Sequence, residues 1–217
     1  DIGLLSCQPE IGQDLIELFN YLTGFAKQQS YRKLLVAPVT LRHGIEKLIK
    51  REIKYAKSGL PGKIIAKMNS LVDPEIIKLL YEASQEGVKI ELIIRGMCCL
   101  YPQKKGLSEN IKVTSIIGRF LEHSRIFWFN NDGKAEVFIG SADWMRRNLD
   151  RRVEAVTPIE DIKIKKEIKH LLDFYLEANQ DCWNMQRDGS YTKNAVLNNQ
   201  KGYIQERIIK LYKKEGN

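Results

Sequence analysis

The sequence predicts an α/β fold. Apolar runs of strand length alternate with longer segments whose apolar residues recur at helical spacing. Capping and breaking residues mark the joints between them. After Gly96 the helices give way to short strands around a tight turn, so the sheet is expected to be mixed rather than all parallel.

The elements follow in order. Pro9 to Tyr21 has helical spacing and a proline at its start. A polar stretch around Gln28, Gln29 and Ser30 precedes a buried strand, Leu34 to Val39. Thr40 is a candidate N-cap for a helix from Leu41 to about Ala56. That helix puts Ile45, Leu48 and Ile49 on one face, with Arg42, Lys47, Lys50 and Arg51 around the other. Lys63 to Met68 is a strand. Asp73 caps the next helix with Pro74 at its first position, and Gly87 closes it. Val88 to Ile94 is a further strand. Short strands are expected at Ile111–Ile117, Ser124–Phe129 and Ala135–Ile139, the last two joined at Asn130–Asn131–Asp132–Gly133. Arg152 to Val156 reads as another strand and Asp161 to Leu176 as a helix. Gln180 to Gln200 reads as polar and irregular, and a basic helix runs from about Gly202 to Lys214.

The chain of 217 residues is 43% hydrophobic, enough for one large domain or one domain with an appendage. No apolar stretch approaches the roughly 20 residues of a membrane span, and no signal segment opens the sequence. It begins at Asp1, so it is expected to be a piece of something longer. Cys7, Cys98, Cys99 and Cys182 lack zinc-ligand spacing. They are expected to be reduced and buried or semi-buried, which suits the cytoplasm. The net charge of +8 points to a polyanionic partner and leaves nucleic acid, anionic lipid and a phosphate polymer open.

No Walker loop or GxGxxG turn is present, so phosphate would be held by side-chain cations and helix ends. The informative segment is FLEHSRIFWFNNDGKAEVFIGSADWMRRNLDRR, Phe120 to Arg152. His123 and Arg125 stand two apart at a strand start and share a face. The hairpin returns a strand that ends in Gly140–Ser141–Ala142–Asp143, so a histidine, a cation and a Gly-Ser turn converge on one sheet edge. His43 and His170 fall on charged helix faces, where a solvated role is expected. Trp128 and Trp144 are expected in the core.

An H-x-[KR] pair followed by GSxx after a hairpin resembles the half-site of the phospholipase D superfamily. In that superfamily two such halves face each other and a histidine attacks phosphorus. The sequence departs from the pattern: Arg125 replaces the lysine and Asp143 the asparagine of GSxN. A carboxylate there argues against a generic phosphodiesterase. The chain is more closely similar to the C-terminal portion of bacterial-type polyphosphate kinases. The likeness runs through IGLLSC, YRKLLVAPVTLR, IAKMNSLVDPEII, LIIRGMCCL, GLSENI, SIIGRFLEHSRIFWF and GSADWMRRNLDRRVE, in order over residues 1 to 157.

That resemblance implies a phospholipase D-like half-domain with a mixed sheet and flanking helices over residues 1–157. A helical C-terminal extension, 158–217, would pack on it. It implies reversible transfer of the terminal phosphoryl group of ATP to inorganic polyphosphate through a phosphohistidine in an upstream domain that this chain lacks. The alternatives are a phospholipase D-type phosphodiesterase or nuclease half-domain and a non-catalytic polyanion-binding module. The family's ATP contacts carry over to Arg95 and His123, with His123 catalytic. Arg95 follows a strand, where ligands of open α/β sheets gather, and its fork suits phosphate oxygens. Lys67, Asn69, Arg125, Ser141, Arg151 and Arg152 are candidates to line a phosphate channel. Asp143 either fixes the tautomer of His123 or pairs with a nearby arginine. Mg²⁺ is expected with ATP, with no dedicated metal site in the chain. The implied partners are ATP or ADP, polyphosphate, the upstream domains and further copies in a homo-oligomer; nucleic acid is not expected. The implied location is the cytoplasm, peripheral at the inner membrane.

Overall fold

The computed structural model describes residues 1–25, 30–177, 181–194 and 203–215. Gln28, Gln29, Gly202, Gln180 and 195–200 lie outside the described residues. One nine-stranded sheet organises the chain. Its strands are β1 (Leu35–Ala37), β2 (Lys63–Met68), β3 (Lys89–Ile94), β4 (Ile111–Ile116), β5 (Arg125–Phe129), β6 (Glu136–Gly140), β7 (Glu154–Ile159), β8 (Cys182–Met185) and β9 (Tyr191–Lys193). The order is β1-β7-β6-β5-β2-β3-β4-β8-β9. The pairs β2–β3 and β3–β4 are parallel, and every other pair is antiparallel. The ends of β2, β3, β4 and β6 and the starts of β5, β7 and β8 therefore share one edge.

Strand alternation sends side chains to two helical layers. On one face, Ile64, Ala66, Ile90, Leu92, Phe127 and Phe129 pack on α2 (Leu41–Lys57), α3 (Pro74–Gln85) and α4 (Arg146–Asp150). On the other, Ile65, Ile93, Ile126, Trp128 and Ile139 pack on α5 (Ile162–Leu176), with Ile204 of α6 (Ile204–Glu215) and the N-terminal Ile2 and Leu4. Trp144 is fully buried, its ring 5.1 Å from that of Phe127 and nearly parallel to it, and Trp128 is also buried. Both tryptophans are core residues, as expected. Helix α1 (Pro9–Leu22) lies at the β1 edge. Its buried Asp14 accepts the backbone N–H groups of Arg32, Lys33 and Leu34 at 2.9, 2.7 and 2.9 Å.

Local chemistry accounts for the joints. Asp73 accepts from the Ile76 N–H at 3.0 Å and so caps α3 behind Pro74. Asp161 caps α5 through the Lys163 and Ile164 N–H groups. Asn131, Asp132 and Gly133 all take positive φ and turn β5 back into β6. Gly140 lets β6 close on β7: a Cβ there would sit 2.4 Å from the Ala155 carbonyl oxygen.

Several expectations change. Thr40 occupies the N-cap position of α2 but makes no side-chain cap; its hydroxyl accepts instead from the Val36 N–H at 3.0 Å, closing the turn after β1. Arg42 is not on a solvated face. It forks onto Asp73 at 3.0 and 2.6 Å and onto Asp150 at 2.6 and 2.7 Å, tying together α2, α3 and α4. The strand expected at 152–156 is β7, two residues later at its start and three longer at its end. The segment expected to be irregular holds the β8–β9 hairpin, which extends the sheet from β4. All four cysteines are free thiols, but Cys7 and Cys99 are exposed. No described helix is long and apolar enough to cross a membrane.

Candidate functional site

Three neighbouring strands build the site on the shared edge. β2 ends at Met68 and delivers Asn69; β3, beside it, ends at Ile94 and delivers Arg95. β5 flanks β2 on its other side and begins at Arg125, two residues after His123. Two strand spacings, about 10 Å, therefore separate the backbones carrying Arg95 and His123, with Asn69 between them.

Hydrogen bonds orient this rim. Asp143 is buried and accepts from the Asn69 backbone N–H at 2.8 Å and from Arg125 Nε at 3.1 Å. Of the two roles weighed for Asp143, the structure builds the ion pair with arginine. Arg125 also donates through Nη1 to the His123 carbonyl at 2.6 Å. Arg95 donates through Nε to Asn69 Oδ1 at 2.9 Å, and its carbonyl accepts from Ser115 Oγ at 3.2 Å. The terminal nitrogens of Arg95 have no partner among the described residues. The His123 imidazole is exposed and likewise has none, while its backbone N–H donates to the Asp1 carboxylate at 2.6 Å. A cleft of about 640 Å³ opens beside His123, Arg125 and Ser141, with Leu4, Leu5 and Leu34 on its apolar side.

The remaining candidates are placed differently. Lys67 is 6% exposed and lies on the sheet face covered by α5. Its ammonium donates to Ser124 Oγ at 2.9 Å, pairs with Glu122 at 3.0 Å and lies 4.9 Å from the centre of the Tyr175 ring. Burial, helped by Arg95 and Arg125, pushes the Lys67 ammonium below the usual lysine range against the pull of Glu122. Burial also works to raise the Glu122 carboxyl. It is outweighed by Lys67 and by donation from Tyr175 and Gln205, so Glu122 lies below the usual carboxylate range. Lys67 is thus covered in this structure and held among Glu122, Ser124 and Tyr175. The Ser141 hydroxyl is held by Glu154, which also takes the Asn148 amide. Arg151 and Arg152 follow α4, are exposed and make no side-chain hydrogen bond or ion pair among the described residues. His43 and His170 are exposed, and His170 meets Phe174 edge-on at 4.8 Å.

Sequence reasoning missed Glu122, Tyr175 and Gln205. Glu122 stands next to His123 in LEHSR, but its partners lie 53 and 83 residues away, beyond any local periodicity. Among the described residues no group of three or more His, Cys, Asp or Glu could hold a metal ion. The rim carboxylate, Asp143, is already committed to Arg125 and Asn69. These residues do not form a cage for a divalent cation.

Comparison with known proteins agrees with this architecture. The family model for "Polyphosphate kinase C-terminal domain 2" matches residues 34–205. A polyphosphate kinase of Prochlorococcus marinus is 64% identical over 213 residues, which are 98% of this chain and 30% of that protein. A polyphosphate kinase of Parasynechococcus marenigrum is 68% identical over 88% of this chain and 27% of that protein. The chain thus spans less than a third of the length of these relatives. The crystal structure of a Porphyromonas gingivalis polyphosphate kinase superposes with a TM-score of 0.92 at 38% identity, covering 97% of this chain and 32% of that one. Nuc of Salmonella typhimurium, a phospholipase D family member, shares the fold at TM-score 0.51 and 14% identity, over 71% of this chain and 97% of that one.

Proposed function

This chain belongs to the polyphosphate kinase family, and we propose that it supplies one half of a site that moves the terminal phosphoryl group of ATP reversibly to inorganic polyphosphate. The observation that carries the reading is the pair of unsatisfied groups on one sheet edge. Arg95 is anchored through Nε, which leaves its terminal nitrogens for a ligand, and the His123 imidazole is exposed beside the cleft. A guanidinium with its stem fixed binds two phosphate oxygens at little further entropic cost. Phosphoryl transfer asks mainly for alignment and charge neutralisation.

In this reading Arg95 grips the phosphates of ATP. His123 donates a hydrogen bond to the transferred group or exchanges a proton with the leaving oxygen. The covalent relay belongs to a histidine in an upstream domain of the same polypeptide, so residues 1–157 act as a half-site and 158–217 as the extension behind it. Magnesium travels with the nucleotide and supplies charge neutralisation at its phosphates. Asn69, Arg125, Ser141, Arg151 and Arg152 flank the path of the polymer, with Lys67 behind it. Exposed Leu15, Ile16, Phe19 and Leu22 on α1 offer an apolar surface to the upstream domains or to another copy in a homo-oligomer. We place the reaction in the cytoplasm, at the inner membrane periphery, in keeping with four free thiols.

The test uses the intact polypeptide that carries this chain. With ATP and Mg²⁺ it is expected to make long polyphosphate and ADP, and with polyphosphate and ADP to make ATP. Cleavage of a phosphodiester with no ATP-dependent polymer would overturn the reading in favour of a phospholipase D-type hydrolase. Within the same assay Arg95→Lys keeps the charge but loses the fork. It is expected to raise the KM for ATP or lower kcat on the order of tenfold. Kinetics unchanged on both counts would reduce Arg95 to a structural cation at a strand end.

A further inference from the structure

The loop between β4 and β5, residues 117–124, carries His123 and turns most of its side chains outward. Ile117, Phe120 and Leu121 are exposed apolar residues, and Arg119 and His123 are exposed beside them. Asp1, Arg125 and Lys67 hold its last two residues, and its middle is held from the far end of the chain. Gln205, in the first turn of α6, is 6% exposed. Its Oε1 accepts from the Phe120 N–H at 2.7 Å, and its Nε2 donates to the Phe120 carbonyl at 2.9 Å and to Glu122 Oε1 at 2.8 Å. Glu122 Oε2 in turn accepts from Lys67 Nζ at 3.0 Å and from the Tyr175 hydroxyl at 2.5 Å. The loop passes so close to α6 that a Cβ on Gly118 would lie 2.6 Å from Gln205 Oε1 and 3.1 Å from Asp181 Oδ2. Helix α6 is itself fixed, because the buried Asp181 accepts from the Ile204 N–H at 3.2 Å.

We infer that Glu122 and Gln205 are positioning residues for His123, and that the C-terminal helix α6 latches the loop that presents the imidazole. The inference rests on the reading of His123 as a group that engages the transferred phosphoryl. Gln205 pairs with the Phe120 backbone as a neighbouring strand would, using an acceptor and a donor at once. It then spends its second N–H on Glu122, the residue before His123. Glu122 joins this contact to β2 through Lys67 and to α5 through Tyr175, so sheet, α5 and α6 converge on one carboxylate. A reacting group displaced by about 1 Å loses up to about 10² in rate; Asp1 and Arg125 hold the His123 backbone, and Gln205 and Glu122 hold the outward-facing loop that leads into it to that tolerance.

The test compares Gln205→Ala and Gly118→Ala with wild type in the intact polypeptide. Gln205→Ala removes the latch, and Gly118→Ala wedges it open without altering any group assigned to chemistry. Both are expected to lower kcat about tenfold and to leave the KM for ATP within about twofold, because Arg95 is untouched. Amide hydrogen exchange is expected to accelerate in the peptide spanning residues 117–124 and not across the sheet. Full activity with the loop released, or a loop that stays protected in both variants, would overturn the latch. A kcat loss matched by a general rise in exchange would assign α6 to stability alone. His123→Ala in the same assay separates the two readings. If it stays active, the role given to His123 fails. If it is silent while both latch variants are fully active, only the positioning fails.

Discussion

His123→Ala in the intact polypeptide is expected to lower ATP-dependent polymer synthesis by about 10²-fold or more, with the melting temperature unchanged. The two halves of this expectation have separate sources. The imidazole is exposed and has no side-chain partner among the described residues, so truncating it removes no packing and no hydrogen bond from the fold. Its backbone contacts, to Asp1 and Arg125, survive the substitution. The rate loss follows from where the ring stands, at the mouth of the cleft on the edge where Arg95 presents its unbound nitrogens. Activity within about threefold of wild type, measured as ADP release and polymer length at saturating ATP, would remove His123 from the chemistry. Phosphorus label recovered on His123 itself would instead make it the nucleophile and dissolve the division of labour with the upstream histidine.

How far the sequence was legible depends on the range of the physics involved. Caps, turns and apolar periodicity act within a few residues, and they located β1 to β7 and the helices α1, α2, α3, α5 and α6 to within a few residues, while the five-residue α4 was not foreseen. Strand order does not act locally. β1 and β2 point the same way and flank one helix, as a βαβ reading requires. Yet β1 pairs with β7, Val36 opposite Ala155, at the far side of the sheet. The β8–β9 hairpin is the converse case. Its Asp188–Gly189 turn, with Gly189 at φ +88°, is a hairpin signal that its polar strands obscured. β8 gains its place from β4, where Cys182 and Met185 bury their side chains.

The site divides along the same line. His123, Arg125 and Ser141 are close in sequence around one hairpin, and Arg95 stands at a recognisable strand end, so residue type and spacing found them. The family resemblance then supplied roles that the spacing could not. The groups that hold the rim, Glu122 with Tyr175 and Gln205, meet only when the sheet and two later helices have assembled. The sequence groups Lys67 with Arg125, Arg151 and Arg152 as a cation that could line the channel. The two-residue period of β2 sends Lys67 to the α5 face with Ile65, where it is covered and paired with Glu122.

Asp143 is where departure from the phospholipase D pattern becomes a stability argument. The carboxylate is 6% exposed and has two partners, the Asn69 backbone N–H and the Arg125 guanidinium, which is itself largely covered. Asp143→Ala leaves a buried donor unsatisfied and a cation without its counter-charge, and breaking such a pair costs about 3 kcal/mol. For a unit of this size the expected fall in melting temperature is about 6 °C or more. Asp143→Asn restores the GSxN residue type, keeps an acceptor for the Asn69 N–H and removes only the charge, so its fall should be about half as large. The measurement is thermal unfolding of both variants beside wild type. If Asp143→Ala melts within about 1 °C of wild type, the ion pair is not what holds β2, β5 and the Gly-Ser turn together. If Asp143→Asn falls as far as Asp143→Ala, the uncompensated positive charge of Arg125, which the two variants share, matters more than the orphaned N–H, and Asp143 serves chiefly to neutralise Arg125.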